Sequence, residues 1–269
     1  MLLLLLACAA PEGPPPADET YGGVITRLNF GRREGELAWG FDLDHHVSDA
    51  GDEEGCYHED LVDPDGKEGI DSSFSSLVPA LEATEASAVE DLIQDSIRNG
   101  QLLLLLELSG VDDLQNDDCV DLRLVRGTGA PMLGTDNEIL DAQTFVVDPD
   151  LPAVELSCMP LREGSLLAGP FSMQLPLQVL DVELEFGMTE AMIRVDLDEE
   201  GLRWGYFGGA VPNSDILRIV AEDDLADLRD LVTSLVELSA DMHPDEAGVC
   251  QSLSIVFEYS TTKAFLWDE

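Results

Sequence analysis

Apolar and acidic residues alternate strictly between Leu180 and Phe186, and this pattern constrains the fold more than any other feature of the chain. Successive side chains of a strand point to opposite faces, so the pattern predicts a strand with one buried and one wet face. Turns are predicted at residues 187–190 and 198–201. Further inward positions follow at Ile193, Val195, Leu197, Leu202, Trp204 and Tyr206. The stretch therefore predicts an antiparallel meander with one solvated face.

Other short segments also have the composition of strands. They cover residues 22–30, 37–43, 102–108, 120–125 and 253–259. The leucine-rich run at 102–108 fits a strand that is buried on both faces, and a helical segment is the alternative for so short an apolar run.

Two helices interrupt the predicted strands. The first begins at a capping box, Ser87 to Glu90, carries an apolar stripe that includes Ile93 and Ile97, and ends at Gly100. The second covers about residues 214–238, in one piece or broken near residue 222. These patterns predict a mainly β protein: an antiparallel, β-sandwich-like domain with two helical insertions, as a single domain over residues 21–269.

The charge of the chain is strongly acidic. Fifty-six Asp and Glu residues oppose 13 Lys and Arg residues, for a net charge of −43. Such a charge repels nucleic acid and anionic lipid headgroups, so we expect neither as a partner. It also makes the folded chain repel itself, which divalent cations or high salt relieve. The alternative is that the acidity only keeps an exported protein soluble or reflects a salty habitat.

The N-terminal residues carry a candidate membrane anchor. An apolar run leads into Leu5-Leu6-Ala7-Cys8, which resembles the lipobox of bacterial lipoproteins. The resemblance implies cleavage before Cys8, acylation of that cysteine and, because Ala9 follows it, an outer-membrane location. Residues 1–7 would then be the signal segment and the proline-rich residues 8–20 a tether. A buried N-terminal strand is the alternative.

Four cysteines remain when Cys8 is set aside. They are Cys56, Cys119, Cys158 and Cys250. None forms a CxxC pair, which argues against a zinc ribbon or a thioredoxin-like redox site. In an exported chain an even number of widely spaced cysteines predicts two disulfides, with three connectivities open, and four buried thiols are the alternative.

The acidic segment, residues 40–71, is the candidate binding region. Calcium binds six to eight oxygen ligands, and closely spaced aspartates with glycine turns can supply them. The candidate ligands are Asp42, Asp44, Asp49, Asp63, Asp65 and Asp71. The part Asp63-x-Asp65-Gly66-x-x-Gly69-x-Asp71 resembles the loops of dockerins and thrombospondin type 3 repeats, which implies calcium as the bound ion. An EF-hand is excluded, because its first and last ligands would fall on Leu61 and Ser72. A solvated acidic loop without an ion is the alternative.

Three histidines lie in the same segment, namely His45, His46 and His58. With Asp44 or Asp49 they offer an alternative transition-metal site, although no HExxH spacing accompanies them.

Signals of catalysis are weak. The chain contains no GxSxG elbow, so the sequence favours a non-catalytic binding or structural domain. The expected partners are a membrane, through the lipid anchor, and a protein or glycan that the sequence does not identify. The alternative function is an extracytoplasmic hydrolase that acts on carbohydrate through two carboxyl groups, which the sequence does not single out.

Overall fold

Long antiparallel strands dominate the computed structural model, which describes residues 19–53, 55–83, 89–179, 182–219 and 226–268. In chain order the strands are β1 (Glu19–Phe30), β2 (Arg33–Glu34), β3 (Leu37–Ala38), β4 (Leu61–Val62), β5 (Glu68–Ile70), β6 (Leu104–Val111), β7 (Asn116–Thr128), β8 (Gln143–Val147), β9 (Val154–Arg162), β10 (Ser165–Val179), β11 (Val182–Asp198), β12 (Gly201–Pro212), β13 (Met242–Pro244) and β14 (Cys250–Trp267). The helices are a 3₁₀ turn (Ser73–Ser76), α1 (Val78–Glu82), α2 (Val89–Arg98), α3 (Asn213–Ile219) and α4 (Ala226–Ser239).

Eight of these strands close into a barrel. The ring runs β1–β6–β7–β9–β10–β11–β12–β14 and returns to β1, and every neighbouring pair in it is antiparallel. The predicted mainly β, antiparallel class is confirmed, but the predicted sandwich is wrong. A sandwich and a barrel share the same alternation of buried and exposed residues, and only strand pairing separates them. The pairing that closes the ring joins β1 to β14, at opposite ends of the chain.

The predicted meander is confirmed with two corrections. Trp204 and Tyr206, predicted to face inward, pack in a separate cluster outside the barrel. Strands β11 and β12 carry the meander, and the turn between them lies where the sequence predicts it. The turn predicted at residues 187–190 is wrong, because β11 runs through it. Its register with β12 shifts between Thr189 and Met192, where Glu190 has a φ of 52°. This bulge bends the strand without ending it. Leu180 and Asp181 lie outside the described residues.

The two predicted helical regions are also present. Helix α2 contacts β1 and β10, which lie on opposite sides of the ring, and its Ile93 and Ile97 belong to the main core. Ser87 and Ala88 of the predicted capping box lie outside the described residues. The second region contains α3 and α4, and residues 220–225 between them are not described. Among the described residues no helix has the length and apolarity needed to span a membrane.

Two disulfides join the four remaining cysteines, as the sequence predicts. Cys119–Cys158 links the neighbouring barrel strands β7 and β9. Cys56–Cys250 links the acidic segment to the first residue of β14. The two bridges therefore act on different parts of the molecule: one lies within the barrel wall, and the other fastens the acidic segment to that wall.

Candidate cation-binding site

A cluster of aromatic side chains packs the start of the acidic segment against the outside of the barrel. The ring of Tyr206 packs 4.9 Å from Phe41 and 5.6 Å from Trp39, and Trp204 lies 5.5 Å from Trp39. Tyr206 belongs to this cluster, whereas Phe207 beside it belongs to the main core. Neighbouring residues of a strand face opposite sides, so Tyr206 points out of the barrel. The segment is thus held by apolar packing against β12.

The backbone then brings Asp71 back to the start of the segment. Phe41 and Asp71 form an antiparallel bridge, in which the Asp71 N–H donates to the Phe41 carbonyl at 2.8 Å. The N–H of Leu43 donates to Asp71 Oδ2 at 2.6 Å. The carboxylate of Asp71 is therefore fixed against residues 41–44.

Three carboxylates converge at this bridge. One oxygen from each of Asp42, Asp44 and Asp71 lies within 4.8 Å of the other two, and no other such set of potential metal ligands occurs among the described residues. Oδ1 of Asp42 is buried and has no hydrogen-bond partner. A buried acceptor without a donor is costly, and a bound cation would satisfy it. We name these three residues the carboxylate triad.

Burial disfavours charge on the triad. Asp71 is only 4% exposed, and desolvation, reinforced by the charges of Asp44, Asp241 and Asp60, raises its pKa to about 9. Burial also raises the pKa of Asp44, although the backbone N–H of His46 opposes that effect. At neutral pH the triad therefore holds a proton unless a cation replaces it.

Asp241 is a further buried carboxyl group that the sequence does not single out. It is 7% exposed, and desolvation raises its pKa to about 7. The N–H of Ser254 donates to its Oδ1 at 2.8 Å, and the Ser254 hydroxyl donates to its Oδ2. No sequence motif marks Asp241. It is buried because β13 packs on β14 next to the acidic segment, and local sequence does not reveal such a contact.

The other predicted calcium ligands lie apart from the triad. Asp49 is exposed and accepts the N–H of Gly51, in a local turn. Asp63 is buried and accepts the N–H of Lys67 at 2.7 Å. Asp65 is exposed and forms an ion pair with Arg194 at 3.5 Å. Of the aspartates in the dockerin-like motif, only Asp71 joins Asp42 and Asp44.

The three histidines of the segment are dispersed. His46 Nε2 lies 2.6 Å from Asp52 Oδ2. Burial lowers the pKa of His58, so that its ring is neutral near pH 7. His45 is exposed. Within the described part of the chain, none of them shares a metal-sized cluster with carboxylates.

Two cavities lie on either side of this region. The first has a volume of about 310 Å³, and Asp60, Asp71, Asp241 and Ser72 are among the residues that line it. The second has a volume of about 320 Å³, and Asp42, Asp44, Asp241 and His243 are among its lining residues. Of the triad, Asp71 lines the first cavity and Asp42 and Asp44 line the second, while Asp241 lines both.

A chain of hydrogen bonds at the second cavity resembles a catalytic triad in composition only. His243 lies 2.9 Å from Ser252 Oγ through Nδ1 and 2.9 Å from Glu190 Oε2 through Nε2. A nucleophilic serine must face the substrate, with the carboxylate behind the ring. Here Ser252 is 4% exposed and Glu190 is exposed, so the order is the reverse.

No known protein family, curated protein or solved structure matches the chain. The side chains of the triad are therefore the basis for assigning a ligand to the site. Three carboxylates around one point suit a hard cation such as calcium, whose remaining positions backbone carbonyls, water or a ligand can fill.

Proposed function

We propose that this chain is an exported, lipid-anchored protein whose acidic β-barrel domain is a non-catalytic binding or structural module organised by calcium. The observation that carries the proposal is the convergence of Asp42, Asp44 and Asp71, with a buried, unpartnered oxygen on Asp42. Calcium would join carboxylates that otherwise repel one another, and it would fasten residues 42–44 to residue 71.

Three features of the whole chain support the proposed location of the protein. Two disulfides fit an oxidising, extracytoplasmic compartment. The lipobox-like residues 5–8, which lie outside the described residues, would direct a lipid anchor to Cys8. A net charge of −43 keeps the domain away from anionic surfaces and concentrates cations around it.

Thermal unfolding with and without calcium tests the calcium site. At free calcium 100-fold above the dissociation constant, linkage adds about 2.7 kcal/mol to the free energy of unfolding. For a domain of this size that corresponds to roughly 5–10 °C in Tm. Magnesium at equal ionic strength controls for general screening of the acidic surface and is expected to do much less. Equal shifts with the two ions would contradict a calcium site.

A carbohydrate hydrolase is the second candidate, and the first cavity favours it. Asp71 and Asp241 both line that cavity, their pKa values are raised to about 9 and 7, and Asp60 lies beside them. A protonated and an ionised carboxyl group at one cavity are what glycoside hydrolysis requires. Release of reducing ends from glycans, abolished by Asp241→Asn, would support this function over the non-catalytic one.

A further inference from the structure

The first cavity has a composition that the proposed calcium site does not explain. Its walls contain three carboxyl groups, from Asp60, Asp71 and Asp241. Among the described residues these groups accept hydrogen bonds from neutral donors: the backbone N–H groups of Ser48, Leu43, Asp44 and Ser254 and the Ser254 hydroxyl. None of the ion pairs of that part of the chain involves them.

Ser72 adds an independent sign of a missing ligand. It lines the same cavity and is only 2% exposed, and its Oγ has no hydrogen-bond partner. Buried hydroxyl groups are nearly always paired, so an unpaired one beside a cavity indicates a ligand that can form a hydrogen bond with it. The carboxylates of Asp60 and Asp241 and this hydroxyl all offer acceptors, which favours a ligand rich in donors.

The rest of the lining defines the shape of that ligand. Leu61 and Ile70, both buried, give the cavity an apolar side. Exposed residues, Gly35, Glu36 and Glu59, form its rim, so the cavity opens to solvent. Arg33 also lies at the rim, where it donates to Ser76 Oγ at 3.0 Å. The volume of about 310 Å³ holds several water molecules or a small amine.

We propose that the first cavity binds a primary ammonium group on an alkyl chain, from a free polyamine or from the lysine side chain of a partner protein. An ammonium group carries three N–H donors and no acceptor, which matches Asp60, Asp241 and the Ser72 hydroxyl. Its methylenes pack on Leu61 and Ile70. The strong negative field of the chain draws such cations to the rim.

Binding of n-butylammonium, measured by isothermal titration at pH 8 in 0.15 M NaCl with chelator, tests the proposal independently of calcium. Tetramethylammonium is the matched ligand, because it has the same charge and no N–H donor. We expect saturable binding of one butylammonium per chain and none of tetramethylammonium. Asp241→Asn and Ser72→Ala should each weaken it, by about tenfold for the charged group. Asp150→Asn, on an exposed loop, is the matched control and should bind normally.

Two further arms separate the sources of the amine. Tighter binding of 1,5-diaminopentane supports a polyamine, and tighter binding of Nα-acetyl-lysine methylamide supports a lysine side chain. Equal binding of butylammonium and tetramethylammonium overturns the proposal, as does equal weakening by Asp150→Asn and Ser72→Ala. Ser72→Ala removes no hydrogen bond from the fold, so it decides the matter if Asp241→Asn does not fold.

Discussion

At the scale of single residues, Asp71 connects the fold to the proposed chemistry. Its carboxylate accepts the N–H of Leu43, contributes to the carboxylate triad and lines the first cavity. The sequence predicts Asp71 as a ligand because it belongs to the Asp-Gly motif. It does not predict that Asp63 and Asp65 of that motif lie elsewhere. Which aspartates meet Asp42 and Asp44 depends on the bridge between Phe41 and Asp71, which is a tertiary contact.

The raised pKa of Asp71 predicts how stability varies with pH in the absence of divalent cations. The folded chain holds a proton on Asp71 up to about pH 9, whereas the unfolded chain loses it near pH 4. Unfolding between these values releases a proton, so the free energy of unfolding falls by about 1.4 kcal/mol per pH unit for this group. Asp241 adds to the slope up to about pH 7.

Asp71→Asn should therefore flatten the pH dependence, since the asparagine stays neutral and its Oδ1 can still accept the Leu43 N–H. Urea unfolding in EGTA between pH 5 and pH 9 measures the effect, with Asp65→Asn as the exposed control. A slope between pH 7 and pH 9 that is the same in Asp71→Asn and the unchanged protein would contradict the assigned protonation.

At the scale of elements, the acidic segment is attached to the barrel by three kinds of contact. These are the aromatic cluster around Tyr206, the bridge between Phe41 and Asp71 and the disulfide Cys56–Cys250. Cys250 begins β14, and the neighbouring strand β13 follows directly on Asp241. The disulfide therefore ties the acidic segment to β14, the strand that pairs with β13 just after Asp241.

The two disulfides should consequently differ in their effect on calcium binding. The double variant Cys56→Ser/Cys250→Ser should lose calcium affinity, because the acidic segment is no longer fastened to β14. Cys119→Ser/Cys158→Ser, in the barrel wall, is the matched control. Loss of either bridge should cost about 2–5 kcal/mol of stability, but only the first should weaken calcium binding. Equal calcium affinity in both variants would show that the Cys56 bridge does not organise the site.

The sequence predicts local elements better than their arrangement. The alternation from Ile193 to Leu197 and the stripe with Ile93 and Ile97 each specify one buried face, and both elements are present. The cysteine count predicts two bridges, but their connectivity is a tertiary property. Helix α1 and the burial of Asp241 have no strong local signal, because packing against distant residues determines them.

At the scale of the whole molecule, closure distinguishes this barrel from the predicted sandwich. Strand β1 pairs with β6 on one side and with β14 on the other, so the ring of eight strands has no free edge. The contact that decides this joins residues more than two hundred positions apart, such as Gly23 and Lys263. Periodicity within a strand carries no information about such a pairing.

The proposed anchor also concerns the whole molecule. If Cys8 is acylated, radioactive palmitate should label the protein expressed in a bacterial host, and the label should fractionate with membranes. Cys8→Ser should abolish the label and release the chain. Unlabelled protein that stays on membranes regardless of this substitution would contradict the lipid anchor.

Direct titration of calcium into the purified domain tests the central claim, that Asp42, Asp44 and Asp71 together bind the ion. Isothermal titration calorimetry should detect one site in the unchanged protein and lose it in Asp42→Asn and Asp71→Asn. Affinity should rise from pH 6 to pH 9, because the ion displaces the proton that the triad holds. Asp63→Asn and Asp65→Asn, from the dockerin-like motif, should bind nearly normally. Loss of the site in these two variants with retention in Asp71→Asn would contradict the account.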